Sequence, residues 1–162
     1  MFPKNKHKHS LILITVLIAL MLDILPLPRV MIWIRPHWVF LVFVYWTLAL
    51  PEVVGLAYAF FIGVFFDLLS GALLGEHAFA FVVISYILLK TYKLVRVYPL
   101  FQQTLVVALL LVLYQVILLT IQGTVHPLMY TPLYGLTVLT STLLWPLIFM
   151  VLRDYRLRFQ IN

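Results

Sequence analysis

Residues 53–75 read VVGLAYAFFIGVFFDLLSGALLG, an apolar run broken by one charge, Asp67. Within it Gly55, Ala59, Gly63, Asp67, Gly71 and Gly75 recur at every fourth position. On an α-helix that spacing lays small residues along one face, where a second helix can approach closely. A strand would need alternation of polar and apolar residues, which the run lacks. The stretch therefore predicts a membrane helix with a carboxylate set into a tight junction, followed by a loop that takes Gly71 and Gly75.

The rest of the chain has the same character. Of 162 residues, 65% are hydrophobic and 10% charged, with a mean hydropathy of +1.12; soluble domains carry about 25% charged residues. A water-soluble globule is excluded. A span needs roughly 20 apolar residues, and segments at 10–26, 31–50, 53–70, 77–95, 99–122 and 132–152 meet that description. They predict an all-α polytopic membrane protein of six transmembrane helices forming one domain, 1–162. Pro26, Pro28, Pro51, Pro99 and Pro132 fall between or at the starts of segments, and Pro36 falls just inside the second, where a residue without an N–H is tolerated. Continuous apolar runs argue against a β-barrel. Without cysteine, disulfides, thiolate-bound metals and thiol nucleophiles are excluded.

The net charge of +6 comes from 11 Lys and Arg against 5 Asp and Glu. Nine of the cations form three clusters between apolar runs: Lys4, Lys6 and Lys8; Lys90, Lys93 and Arg96; Arg153, Arg156 and Arg158. This is a multispanning pattern, so nucleic acid is not a required partner. With six spans all three clusters fall on one side, and the positive-inside rule places both termini in the cytoplasm. Arg29 and Arg35 are the exceptions, on the outer face.

An ionisable residue in a span requires a partner, water or an interface. Asp67 lies 14 residues beyond Val53, about 21 Å along a helix, towards the outer leaflet. Asp23, Arg35, Glu76 and His77 fall at a similar depth. Arg35, Glu76 and His77 could each snorkel separately to the interface. Asp67 is too short for that, and Arg35, able to meet a carboxylate with two N–H groups, is the expected partner. Gln115, near the middle of the fifth segment, is expected to hydrogen-bond a neighbouring helix. Gln102 and Gln103 read as interfacial. Trp33, Trp38, Tyr45, Trp46, Tyr86, Tyr92, Tyr98 and Trp145 read as anchors in an aromatic belt.

No motif supports catalysis, a cofactor or a metal: phosphate loop, nucleophile elbow and paired metal-binding histidines are all missing from the sequence. His7 and His9 belong to the basic tail; His37 and His126 stand beside prolines at the outer surface without clustered ligands. Nor do the acids spread through the membrane thickness as a proton path requires.

The run from Arg35 to Gly75 resembles the signature region of the MreD family of rod shape-determining membrane proteins. The likeness rests on Arg35-Pro36-His37-Trp38, on Tyr45-Trp46-Thr47-Leu48 with Pro51, and on Gly63 with Asp67-Leu68 and Ser70-Gly71, ending at Gly75. Leu144-Trp145-Pro146 is also similar to the family. The resemblance marks Arg35, Pro36, Trp38, Tyr45, Trp46, Pro51, Gly63, Asp67, Gly71 and Gly75 as family positions. It implies a non-enzymatic component of the bacterial inner membrane, with a fold similar to the substrate-binding subunits of energy-coupling factor transporters. The partners it implies are MreC, the actin-like MreB, RodZ, RodA and the penicillin-binding transpeptidase of elongation.

Two functions follow as expectations. One is a scaffold that binds the transmembrane helix of MreC and helps couple MreB to peptidoglycan synthesis and rod shape. The other is a transport subunit that binds a small molecule or membrane lipid in an outer-side cavity lined by Asp23, Arg35, Asp67, Glu76 and His77.

Overall fold

The computed structural model describes residues 8–26, 28, 34–125 and 134–159. The expectations for Lys4, Lys6, His7, Arg29, Trp33, His126 and Pro132 lie outside them. The described residues form six helices: α1 (Lys8–Ile24), α2 (Trp38–Ala49), α3 (Leu56–Ser70), α4 (Glu76–Val95), α5 (Leu100–Val125) and α6 (Tyr134–Arg158). Among the described residues there is no strand.

Helix α2 departs most from the expected segment 31–50. It has 12 residues, about 18 Å of helix, less than the hydrocarbon thickness of about 30 Å. Pro36 stands before the helix rather than inside its first turn, because the residue ahead of a proline is steered away from helical geometry. What α2 lacks in length it recovers in burial: every residue from Val39 to Leu48 is buried. A helix apolar on all sides belongs at the centre of a bundle. Accordingly α2 packs against α1, α4 and α6. Among the described residues three helices are long and apolar enough to cross a membrane, within Glu76–Val95, Leu100–Thr124 and Gly135–Arg158.

Several aromatic residues expected at the interface prove to be core. Trp46 and Trp145 are fully buried and Tyr45 is 3% exposed. Trp46 Nε1 donates to Thr15 Oγ1 at 2.8 Å and thereby pins α2 to α1. Tyr86 and Tyr98 do remain exposed. Gln103 is likewise buried, with its amide donating to the Val95 carbonyl at 3.3 Å across the α4–α5 connection.

The closest pairing is α3 with α4, and Gly63 explains it. A Cβ added there would stand 2.3 Å from Ala78 Cα and 2.6 Å from Ala78 N. The two backbones touch, as a small-residue junction allows. The expected six-residue stripe reduces to its centre. Ala59, Gly63 and Asp67 are buried, whereas Gly55, Gly71 and Gly75 have nothing within 4 Å of an added Cβ. Gly71 and Gly75 instead have positive φ angles, 67° and 99°, and turn the chain between α3 and α4, where glycine is favoured.

Candidate functional site

One end of the bundle collects the end of α1, the start of α2, the end of α3 and the start of α4. There the N–H groups that open α2 and α4 have no partner within their own helix. His37 and Gly75, at the two N-cap positions, supply no side-chain cap. In each case an aspartate from the preceding helix takes over. Asp23 accepts from the Trp38 N–H at 3.3 Å and the Val39 N–H at 2.8 Å. Asp67 accepts from the N–H groups of Gly75 at 2.8 Å, His77 at 3.0 Å and Ala78 at 3.4 Å. Both carboxylates are placed at the positive end of a helix dipole.

Asp67 is 1% exposed, and its fourth donor is His77, whose Nδ1 lies 2.7 Å from Oδ1. Since an ionised carboxylate can only accept, Nδ1 carries the proton. The expected Asp67–Arg35 pair is therefore replaced by an Asp67–His77 pair formed within the α3–α4 hairpin. Arg35 turns to α1. Its Nη2 donates to the Leu22 carbonyl at 2.7 Å, closing the C-terminus of that helix, and its Nε stands 4.0 Å from Asp23 Oδ1. The aspartate caps the helix ahead while the arginine caps the helix behind.

The remaining polar residues tie these hairpins to α5 and α6. Glu76, 3% exposed, accepts from Gln122 Nε2 at 2.5 Å. His37 donates its backbone N–H to Ser141 Oγ at 3.0 Å, and its Nε2 is 3.2 Å from Gln115 Oε1. The rings of His37 and His77 both approach Tyr114, at 5.4 and 6.2 Å between centroids. His37, expected at the surface, is thus a link among α2, α5 and α6. Its role has no local signature, but Gln115 and Gln122 are seven residues apart and share one face of α5. Gln115 does bond a neighbouring element, as its depth suggests.

The structure places Asp23, Arg35, Asp67, Glu76 and His77 at this end, distributed over three networks whose donors and acceptors are largely spent on helix-end backbone groups and on Gln122. This arrangement fixes helix ends and their mutual register; it presents no matched nucleophile and base. A more open feature lies between α1 and α3, which touch sparingly. It is an apolar groove of about 460 Å³ lined by Leu13, Leu17, Tyr58, Phe61, Ile62 and Phe65, among others. Tyr58 meets His9 at one end, ring stacked on ring at 5.9 Å.

Comparison with known proteins gives a consistent result. The family described as "rod shape-determining protein MreD" matches residues 4–155. The chain is 30% identical to the Rod shape-determining protein MreD of Haemophilus influenzae over 145 residues, 90% of each protein. No solved structure matches it.

Proposed function

Since the chain belongs to the MreD family of rod shape-determining proteins, we propose that it is a non-enzymatic scaffold of the bacterial inner membrane that binds the transmembrane helix of MreC. Through MreC it helps couple MreB, and with it RodZ, RodA and the elongation transpeptidase, to peptidoglycan synthesis. The observation that carries the partner is the groove between α1 and α3. Its exposed wall is apolar, with Phe61 69% exposed and Leu17 46% exposed. Helices associate in lipid through van der Waals fit rather than hydrophobic drive, and a groove between two poorly packed helices offers that fit to a third. The alternative of a transport subunit binding a small molecule or lipid draws less support, because most of the polar groups that would line its cavity are engaged with helix-end backbone groups, Arg35 Nε being the buried exception.

Recovery of MreC with the full-length protein from native membranes tests this reading. Leu17→Trp fills the groove and should reduce MreC recovery at least about tenfold, equivalent to about 1.4 kcal/mol, without lowering the protein's own abundance. Leu109→Trp, on α5 and 67% exposed, should have no effect. Equal recovery from both variants removes the groove as the docking site, and a bound metabolite found by mass spectrometry in place of MreC would favour transport.

On the same reading all six helices are embedded, with α2 and α3 held short of the full thickness by their neighbours, in a fold like that of the energy-coupling factor subunits. Both termini are cytoplasmic. The segments joining α3 to α4 and α4 to α5 should then lie on opposite sides of the membrane. Reporter fusions after residue 73 should score as periplasmic and those after residue 97 as cytoplasmic; the reverse assignment would invert the topology.

A further inference from the structure

The end of the bundle opposite the aspartate caps holds a pocket of about 300 Å³, lined by Tyr45, Arg96, Gln103, Phe149, Arg153 and Arg156 among others. Four separate parts of the fold supply it: the end of α2, the α4–α5 connection, the first turn of α5 and the C-terminal part of α6. Its charge is of one sign. Of the two acids nearest in sequence, Asp154 is engaged with Arg158 Nε at 2.8 Å along α6, and Glu52 is exposed in the α2–α3 turn; neither lines the pocket. Arg156 Nε is buried without a hydrogen-bond partner, a position that leaves a charged donor group short of an acceptor. Tyr45 is nearly buried yet lines the same space, and Phe149 packs edge-on against its ring at 5.7 Å. Leu48, Ala49 and Phe149 line the pocket together with three arginines, so apolar surface and positive charge stand side by side, as an anionic head carrying an apolar tail requires.

We propose that this pocket binds a phosphate group, supplied by the headgroup of an anionic lipid in the leaflet at the basic end of the bundle. Guanidinium forks match phosphate oxygens bidentately, and basic pockets between helices at a membrane face hold anionic headgroups. The occupant would bridge α2, α4 and α6 and supply the acceptor that Arg156 lacks. The inference rests on the reading of these helices as membrane-embedded and is independent of the groove that is assigned to MreC.

Purified full-length protein in nanodiscs tests it, with retained lipid counted by native mass spectrometry and the thermal midpoint recorded alongside. The discs contain phosphatidylcholine alone, phosphatidylcholine with phosphatidylglycerol or cardiolipin, or phosphatidylcholine with added inorganic phosphate. Anionic lipid should be retained and should raise the midpoint. Each arginine removed should weaken retention roughly fivefold, about 1 kcal/mol, so that Arg153→Gln with Arg156→Gln loses about 25-fold. Arg158→Gln, outside the pocket, should retain lipid normally. Arg96→Gln alters only an exposed connection and keeps the test valid if the double variant fails to fold. Stabilisation by inorganic phosphate equal to that by lipid, and lost in the same variants, would support the phosphate site with a soluble source. Retention of anionic lipid that is indifferent to Arg96, Arg153 and Arg156 would overturn the proposal.

Discussion

Replacing Gly63 by leucine should eliminate the folded protein from the membrane, while Ala57→Leu on the same helix should leave its amount unchanged. The contrast follows from position alone. Ala57 is exposed, and a larger side chain there meets lipid. Gly63 faces the α4 backbone, where even the first carbon of a side chain would come within 2.3 Å of Ala78 Cα. That atom cannot rotate away as a side chain could. Overpacking of a well-packed core costs typically about 1–3 kcal/mol when side chains can adjust; here α3 and α4 must separate, and the Asp67 contacts one turn further along separate with them. Gly63→Ala should therefore already be defective. Quantitative immunoblotting of membranes and complementation of rod shape give the measurement. Normal amounts of Gly63→Leu would show that the hairpin can open without loss of the fold.

The helix count and the all-α class were legible because apolar runs long enough to be helices are separated by proline and glycine. The length of α2 was not. The segment read from residue 31 contains Arg35, Pro36 and His37, and a proline is tolerated inside the first turn of a helix as well as ahead of it. The start at Trp38 combines the restriction that Pro36 places on the chain before it with a tertiary contact, the capture of the Trp38 and Val39 N–H groups by Asp23. The aromatic residues show the same limit. Trp46 and Trp145 have the composition of an interfacial belt, but a bundle whose central helix is short draws such residues into its core.

Depth along the helices is what put Asp23, Arg35, Asp67, Glu76 and His77 at a similar level in the sequence, since rise per residue is a local property. Pairing is not local. Simple attraction of opposite charges suggested Asp67 with Arg35, but a carboxylate at the end of one helix competes for the uncapped N–H groups of the next, and these are covalently held nearby. The spacing of Gly63, Asp67, Gly71 and Gly75 acquires one physical explanation. Gly63 brings α3 and α4 together, Gly71 and Gly75 reverse the chain, and Asp67 closes the start of α4. In this chain the stretch from Gly63 to Gly75 builds a hairpin, and the polar residue within it caps that hairpin.

Asp67→Ala should produce the second large loss, and the pattern of double mutants should identify its cause. The substitution leaves the N–H groups of Gly75, His77 and Ala78, together with the His77 ring, without their acceptor. Removing one member of a buried pair typically costs about 3–5 kcal/mol, enough to deplete the protein from the membrane. Asp67→Asn should fall between, because one oxygen still accepts while the new amide sets a donor against donors. If His77 is the partner, His77→Ala should cost less in the Asp67→Asn background than in the wild type, with a coupling of about 1 kcal/mol or more in detergent unfolding. Arg35→Gln should add independently to Asp67→Asn, within about 0.5 kcal/mol, since the two residues share no hydrogen-bond partner. Arg35 should couple to Asp23 instead, and more weakly, because their 4.0 Å separation is that of a loose ion pair rather than a hydrogen bond. Coupling between Arg35 and Asp67 in place of Asp67 and His77 would mean that the carboxylate leaves the α4 cap, which the three backbone donors directed at it oppose. A double Asp67→Asn, His77→Ala protein that accumulates normally but fails to support rod shape would show that the cap has a second use, as the fixed edge against which a partner outside the hairpin is positioned.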